Sequence, residues 1–143
     1  MFSKACEYAI RSCIYIASVS IQGKRVGLID VAEKIQSPEA FTYKILQKLV
    51  KEGIVRSVKG PGGGFEIQVN EVGKISLLHI IDSIDGEVVN QCSLGLSDCS
   101  EKNPCPFHSR YKPIKDKLLA TFSHTTMKDL TQNYINNGSF LKL

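Results

Sequence analysis

A chain of 143 residues with 43% apolar and 22% charged side chains has an ordinary globular composition and room for one compact core. Charges interrupt every apolar run, so the sequence offers neither a signal-peptide core nor the ~20 apolar residues of a membrane span, and a cytoplasmic protein without membrane contact is predicted. The net charge of +4 comes from the first half: residues 1–75 hold 11 Lys and Arg against 7 Asp and Glu, while residues 76–143 hold 7 of each, so any contact with a polyanion belongs to the first half.

The first helix is predicted from Ser3 to Ser20, with Ala9, Ile10, Cys13, Ile14, Ile16 and Ala17 at helical spacing. Cys6 and Cys13 share one of its faces and read as core thiols. Leu28, Val31, Ala32 and Ile35 mark a short amphipathic second helix, after which Ser37 and Pro38 read as the cap and first residue of a third. That third helix, Pro38 to about Glu52, is stopped by Gly53 and has two unlike sides. Phe41, Thr42, Ile45, Leu46, Leu49 and Val50 fill one; Ala40, Tyr43, Lys44, Gln47, Lys48 and Lys51 fill the other, which carries three lysines and no acid. Two short helices across a tight connection, the second with a basic outer face, fit a helix-turn-helix whose second helix enters the major groove of double-stranded DNA. Tyr43, Lys44, Gln47 and Lys48 are its candidate contacts, with the first three facing base edges.

Beyond Gly53 the period changes, and the runs IVRSVK and FEIQV flank Gly60-Pro61-Gly62-Gly63-Gly64 as a hairpin. Gly60, Gly62, Gly63 and Gly64 remove side chains where a phosphate backbone approaches and leave main-chain N–H donors, while Arg56 and Lys59 add charge. Taken alone the tip reads equally as a flexible turn; directly after a basic helix it reads as a DNA-contacting wing. Ser76 caps a further helix bearing Leu77, Leu78, Ile81 and Ile84, on which His79 is assigned no role. From about Pro106 a long helix follows, with Pro113 predicted to kink it or mark a late start. Its sparse stripe of Tyr111, Ile114, Leu118 and Phe122 has little left to pack against in one small domain, so Ile114, Leu118 and Phe122 are expected at a two-fold interface. Thr126 and Asp129 resemble a capping box opening a last helix through about Ile135.

Five cysteines without an export signal argue against a disulfide framework. Within CSLGLSDCSEKNPCPFH, Cys92, Cys99, Cys105 and His108 stand as C-x6-C-x5-C-x2-H among polar neighbours, which core burial does not explain; three thiols and an imidazole are metal-ligand material. The gaps are wider than the usual paired ligands of zinc loops, yet spacing alone leaves both zinc and an iron-sulfur cluster open. An enzyme is not predicted: there is no C-x-x-C, no nucleophile and base at a recognised spacing, and no nucleotide loop.

The segments EYAIR and KILQKLVKEGIVRSVKGPGGGF, the helix start at Ile75-Ser76, the cysteine loop and the run Thr126-Met127-Lys128-Asp129-Leu130 together resemble the IscR/NsrR/CymR family of bacterial winged-helix transcription regulators. The resemblance implies a mainly α fold with a small β-hairpin: a winged helix-turn-helix DNA-binding domain at residues 1–88, a cluster-binding loop at 89–109, and a helical dimerisation segment at 110–143. It also implies a homodimer on a palindromic operator, acting as a repressor. Cys92, Cys99 and Cys105 match the positions that hold an iron-sulfur cluster in members sensing iron-sulfur status, redox state or nitric oxide, with 2Fe-2S favoured here over 4Fe-4S. His108 matches the family's fourth ligand, and Glu7, presented from the partner subunit's first helix, is the alternative. Members without the cysteines answer to a small molecule or protein partner, so a regulator of the same fold with zinc or no metal is the competing expectation.

Overall fold

The computed structural model describes residues 1–138 and 141. Among them run α1 (Lys4–Ile21), α2 (Leu28–Ile35), α3 (Glu39–Lys51), β1 (Arg56–Val58), β2 (Gly64–Glu66), α4 (Leu77–Asp85), a 3₁₀ turn (Val88–Asn90), α5 (His108–His124) and α6 (Met127–Asn136). No helix of these is long and apolar enough to cross a membrane.

α1 is the central element because most of its circumference is apolar or small. Capped by the Ser3 hydroxyl, which accepts from the Cys6 N–H, it packs against α2, α3, α4, α6 and β2. Ala9, Cys13, Ile16 and Ala17 are buried there with Val31, Ile35, Ile45, Leu46 and Leu49. Burial pushes the thiols of Cys6 and Cys13 up to about 12, so both stay protonated as inert core residues.

The junction between α2 and α3 differs from expectation in one detail. Gln36 turns the chain in the left-handed region at φ 54°, and Pro38 is itself the N-cap, held in extended backbone with ψ 135°, so Glu39 opens the helix. Ser37 does not cap; its hydroxyl is buried without a hydrogen-bond partner among the described residues. The Pro38 carbonyl instead accepts both the N–H and the hydroxyl of Thr42, each at 2.9 Å. At the other end Gly53, at φ 74°, ends α3 in the conformation that favours glycine.

The hairpin is shorter than the apolar runs that announce it, pairing Arg56 with Glu66, Ser57 with Phe65 and Val58 with Gly64. Ile54 and Val55 are buried before the first strand because their N–H groups both turn back to the Leu49 carbonyl. β2 gains a second neighbour outside the hairpin: Val26 and Phe65 exchange backbone bonds of 3.1 and 2.8 Å. Thr126 and Asp129 form the full capping box of α6, and its start lies beside that of α4, with Ser76 and Thr126 in an antiparallel bridge.

The chain after residue 110 serves two places. α6 returns to α1, whereas α5 lies against α4 and the 3₁₀ turn. There Leu118, Leu119 and Phe122 pack with Phe2, Leu77 and Leu78 around Cys6, Ile81 and Val89. Pro113 does not delay the start of α5, which begins at His108; inside the helix it removes the bond to the carbonyl of Ser109 and its ring crowds that carbonyl.

Candidate functional site

α3 buries Thr42, Ile45, Leu46 and Leu49 and leaves Tyr43, Lys44, Gln47 and Lys48 exposed. The apolar side packs against α1 and α2, so the basic side is turned outward. Tyr43 is 50% exposed, with its ring turned to the outer side of the helix alongside Lys44 and Gln47. Lys48 differs from its neighbours: its ammonium donates to the Ile84 carbonyl at 2.9 Å.

The wing glycines have structural causes of their own. A Cβ at Gly63 would lie 2.3 Å from the Val58 carbonyl oxygen, and one at Gly64 would lie 2.8 Å from that of Val26. The Gly63 N–H is used inside the turn, donating to Gly60 O at 2.9 Å, so it is not a donor held ready for a phosphate. Arg56 and Lys59 are exposed, with Arg56 lying 3.9 Å from Glu66. Arg25 was not singled out from sequence, yet it joins this group: it pairs with Glu66 at 2.8 Å and donates to the Gly62 carbonyl at 3.3 Å. Its signal was the basic pair Lys24-Arg25 beside a strand-like Val26.

The four donors of the cysteine loop fall into two pairs. Cys92 Sγ and Cys105 Sγ are 3.9 Å apart, and Cys99 Sγ lies 3.6 Å from His108 Nδ1. Among the described residues no three His, Cys, Asp or Glu side chains converge as a grip for a single metal ion. His108 is buried at the start of α5, and its Nε2 has no hydrogen-bond partner among the described residues. The Cys92 thiol is held below its ordinary value chiefly by the N–H groups of Leu94 and Leu96; Cys105 and the positive charge of Lys115 add to this and burial opposes it. Lys115 is itself buried on α5 and donates to the Asn90 carbonyl at 3.4 Å. Backbone donors, a buried cation and a helix N-terminus all favour negative charge here, and three thiolates with one imidazole are a set that suits a cysteine-ligated cluster. Glu7 in its own chain is ion-paired with Lys4 at 2.9 Å, which keeps its carboxyl below the usual range.

Of the three residues expected at a two-fold interface, Leu118 and Phe122 are half-buried against their own chain, with Phe122 edge-on to Phe2 at 5.6 Å. Ile114 stands open at 56% exposed. The stripe has an intramolecular acceptor because α4 offers a second apolar side, Leu77, Leu78 and Ile81, in addition to the one it turns to α1.

The family model Rrf2, described as an iron-dependent transcriptional regulator, matches residues 2–133. An HTH-type transcriptional regulator of Aquifex aeolicus is 34% identical over 133 residues, covering 91% of this chain and 90% of that one. The HTH-type transcriptional regulator IscR of Cronobacter sakazakii is 27% identical, covering 89% of this chain and 77% of its own length. Among solved structures, CymR (YrzC), the global cysteine regulator of B. subtilis, superposes with a TM-score of 0.77 at 19% identity over 92% of this chain and 96% of that one. T. potens IscR does so at 0.73 and 19% identity, covering 94% of this chain and 88% of that one; both likenesses are of fold. The match spans nearly the whole chain, and the chain belongs to the Rrf2 family of winged-helix, DNA-binding transcriptional regulators.

Proposed function

We propose that the chain is a cytoplasmic homodimeric repressor of a two-fold-symmetric operator whose DNA affinity is set by an iron-sulfur cluster on Cys92, Cys99, Cys105 and His108. The observation that carries the cluster is the donor arrangement, Cys92 with Cys105 at 3.9 Å and Cys99 with His108 at 3.6 Å. A two-iron cluster takes two protein donors at each iron, whereas a zinc ion takes four about one point; two donor pairs favour 2Fe-2S over 4Fe-4S and over zinc. The cluster, when bound, supplies a centre whose charge and integrity respond to redox state, nitric oxide or iron-sulfur supply. The chain's own residues do the rest. Leu94 and Leu96 offer N–H groups to the Cys92 sulfur, Lys115 offsets the thiolate charge, and His108 closes the set within one chain in preference to Glu7 of the partner subunit.

On DNA, Tyr43, Lys44 and Gln47 face base edges while Arg25, Arg56, Lys59 and the wing meet phosphates. The two groups act differently. With a selected operator, Gln47→Ala is expected to change preference at a few base pairs by ~1–3 kcal/mol, whereas Lys59→Ala weakens every sequence alike and lowers the salt slope by about 1. Titrations over operator variants at several salt concentrations check this, and equal, sequence-blind losses from both would place the reader elsewhere.

A second reading, a regulator of the same fold with zinc or no metal that answers to a small molecule or protein partner, draws on two observations: among the described residues no three donors meet at one point, which favours its metal-free form, and the fold also resembles that of CymR, the global cysteine regulator of B. subtilis. Anaerobic purification separates the two. The cluster reading expects coloured protein with iron and acid-labile sulfide in near-equal amounts, lost on Cys99→Ser; colourless or zinc-loaded protein would sink it.

A further inference from the structure

Lys48 closes the basic arc of α3 on the side nearest α4, and its ammonium rests on the Ile84 carbonyl at 2.9 Å. That carbonyl lies in the last turn of α4, where backbone oxygens lack intrahelical donors and a cation suits the helix dipole. The next residue, Asp85, holds the start of α1: its carboxylate accepts the Ser3 N–H at 2.8 Å and the Ser3 hydroxyl, and the buried Cys6 thiol lies against it. Gly86, at φ 76°, then ends α4, and its carbonyl accepts the Val88 N–H at 2.7 Å to open the 3₁₀ turn. Lys115 donates to Asn90 at the end of that turn, two residues before Cys92. Two consecutive residues therefore hold the DNA-facing helix and the start of α1, and the next, Gly86, leads directly into the root of the cysteine loop.

We propose that Lys48 is a positioning residue that ties α3 to the Ile84–Asp85 junction and so carries the state of the cysteine loop to the DNA-reading helix, without itself meeting a phosphate. A shift of the loop root displaces the Ile84 carbonyl, and the ammonium bound to it draws the C-terminal half of α3 along. This rests on the DNA-facing assignment of α3 and on the cysteine loop as the regulatory site, whichever group the loop holds. A coupling of this kind is expected to be worth about fivefold in affinity, the low end for coupled sites, because the contact is exposed.

The test compares full-length wild type, Lys48→Met and Lys48→Arg, each with and without Cys92→Ser, on one selected operator across a series of salt concentrations. Each phosphate contact contributes about 0.9 to the slope of log affinity against log salt. The slope of Lys48→Met is expected to equal that of wild type. Cys92→Ser is expected to change wild-type affinity about fivefold, less than about twofold in Lys48→Met, and fully again in Lys48→Arg, which keeps a donor for the carbonyl. Amide exchange at residues 86–90 of the free protein is expected to quicken in Lys48→Met. A slope lowered by about 0.9 with the Cys92→Ser effect intact would make Lys48 a phosphate contact and overturn the proposal. So would a wild type indifferent to Cys92→Ser, or unchanged exchange in Lys48→Met. Gln47→Ala, measured alongside, reports on the DNA-facing assignment separately, since loss of base preference there does not depend on Lys48.

Discussion

Ile114→Asp is expected to convert the proposed dimer into monomers and to lower operator affinity by about 10²–10⁴-fold, the gain that linking two binding modules confers without any new contact. One winged helix reaches a single half-site, and specificity needs both. Ile114 is the informative position because it is 56% exposed in the isolated chain, so a carboxylate there leaves the fold alone and meets cost only where a partner excludes water. Nearby Phe107 is also exposed and stacks on Tyr111 at 6.0 Å, extending the apolar surface towards the cysteine loop. Leu118→Asp would be ambiguous, since Leu118 packs within its own chain. Sedimentation and operator titration together check the expectation; a tight dimer with unchanged affinity would place the interface away from this stretch of α5.

Leu46→Ala is expected to destabilise the chain by about 2–5 kcal/mol, the range for truncating a fully buried leucine. Leu46 has no exposed surface and is packed in the main cluster with Ile45 and Leu49. It also holds the inner side of α3, so DNA binding is expected to be lost at temperatures where wild type still binds, while the salt slope of the folded fraction is unchanged. Denaturant unfolding gives the energy. A loss below about 1 kcal/mol would mean that the site relaxes around the missing side chain.

Local chemistry was legible in the sequence where one short segment determines the outcome. Ser76, Thr126 with Asp129, and Gly53 behave as their residue types demand, and the two sides of α3 follow from spacing alone. Pairings between distant segments were not legible. Nothing local tells Val26 that it will bond to Phe65, or Arg25 that Glu66 and the Gly62 carbonyl await it. Phe122 looked unpartnered because the face that receives it belongs to α4 and Phe2. The cysteine loop shows the same division: its donors were evident from residue type, whereas their grouping, Cys92 with Cys105 and Cys99 with His108, depends on how the loop folds back on the first turn of α5.

The Val26–Phe65 bridge also bears on how the protein stays dispersed. Because Val26 covers the outer side of β2, the outer side of β1 is the open edge of this small sheet among the described strands. Open edges invite strands from other molecules to add on, and charge is a common guard against it. Arg56 lies on that strand and Lys59 just beyond it, both exposed, so two wings approaching edge to edge repel each other. The cations suited to a phosphate backbone thus also discourage self-association, and neutral β-forming replacements at Arg56 and Lys59 would give a chain prone to aggregate through its wing.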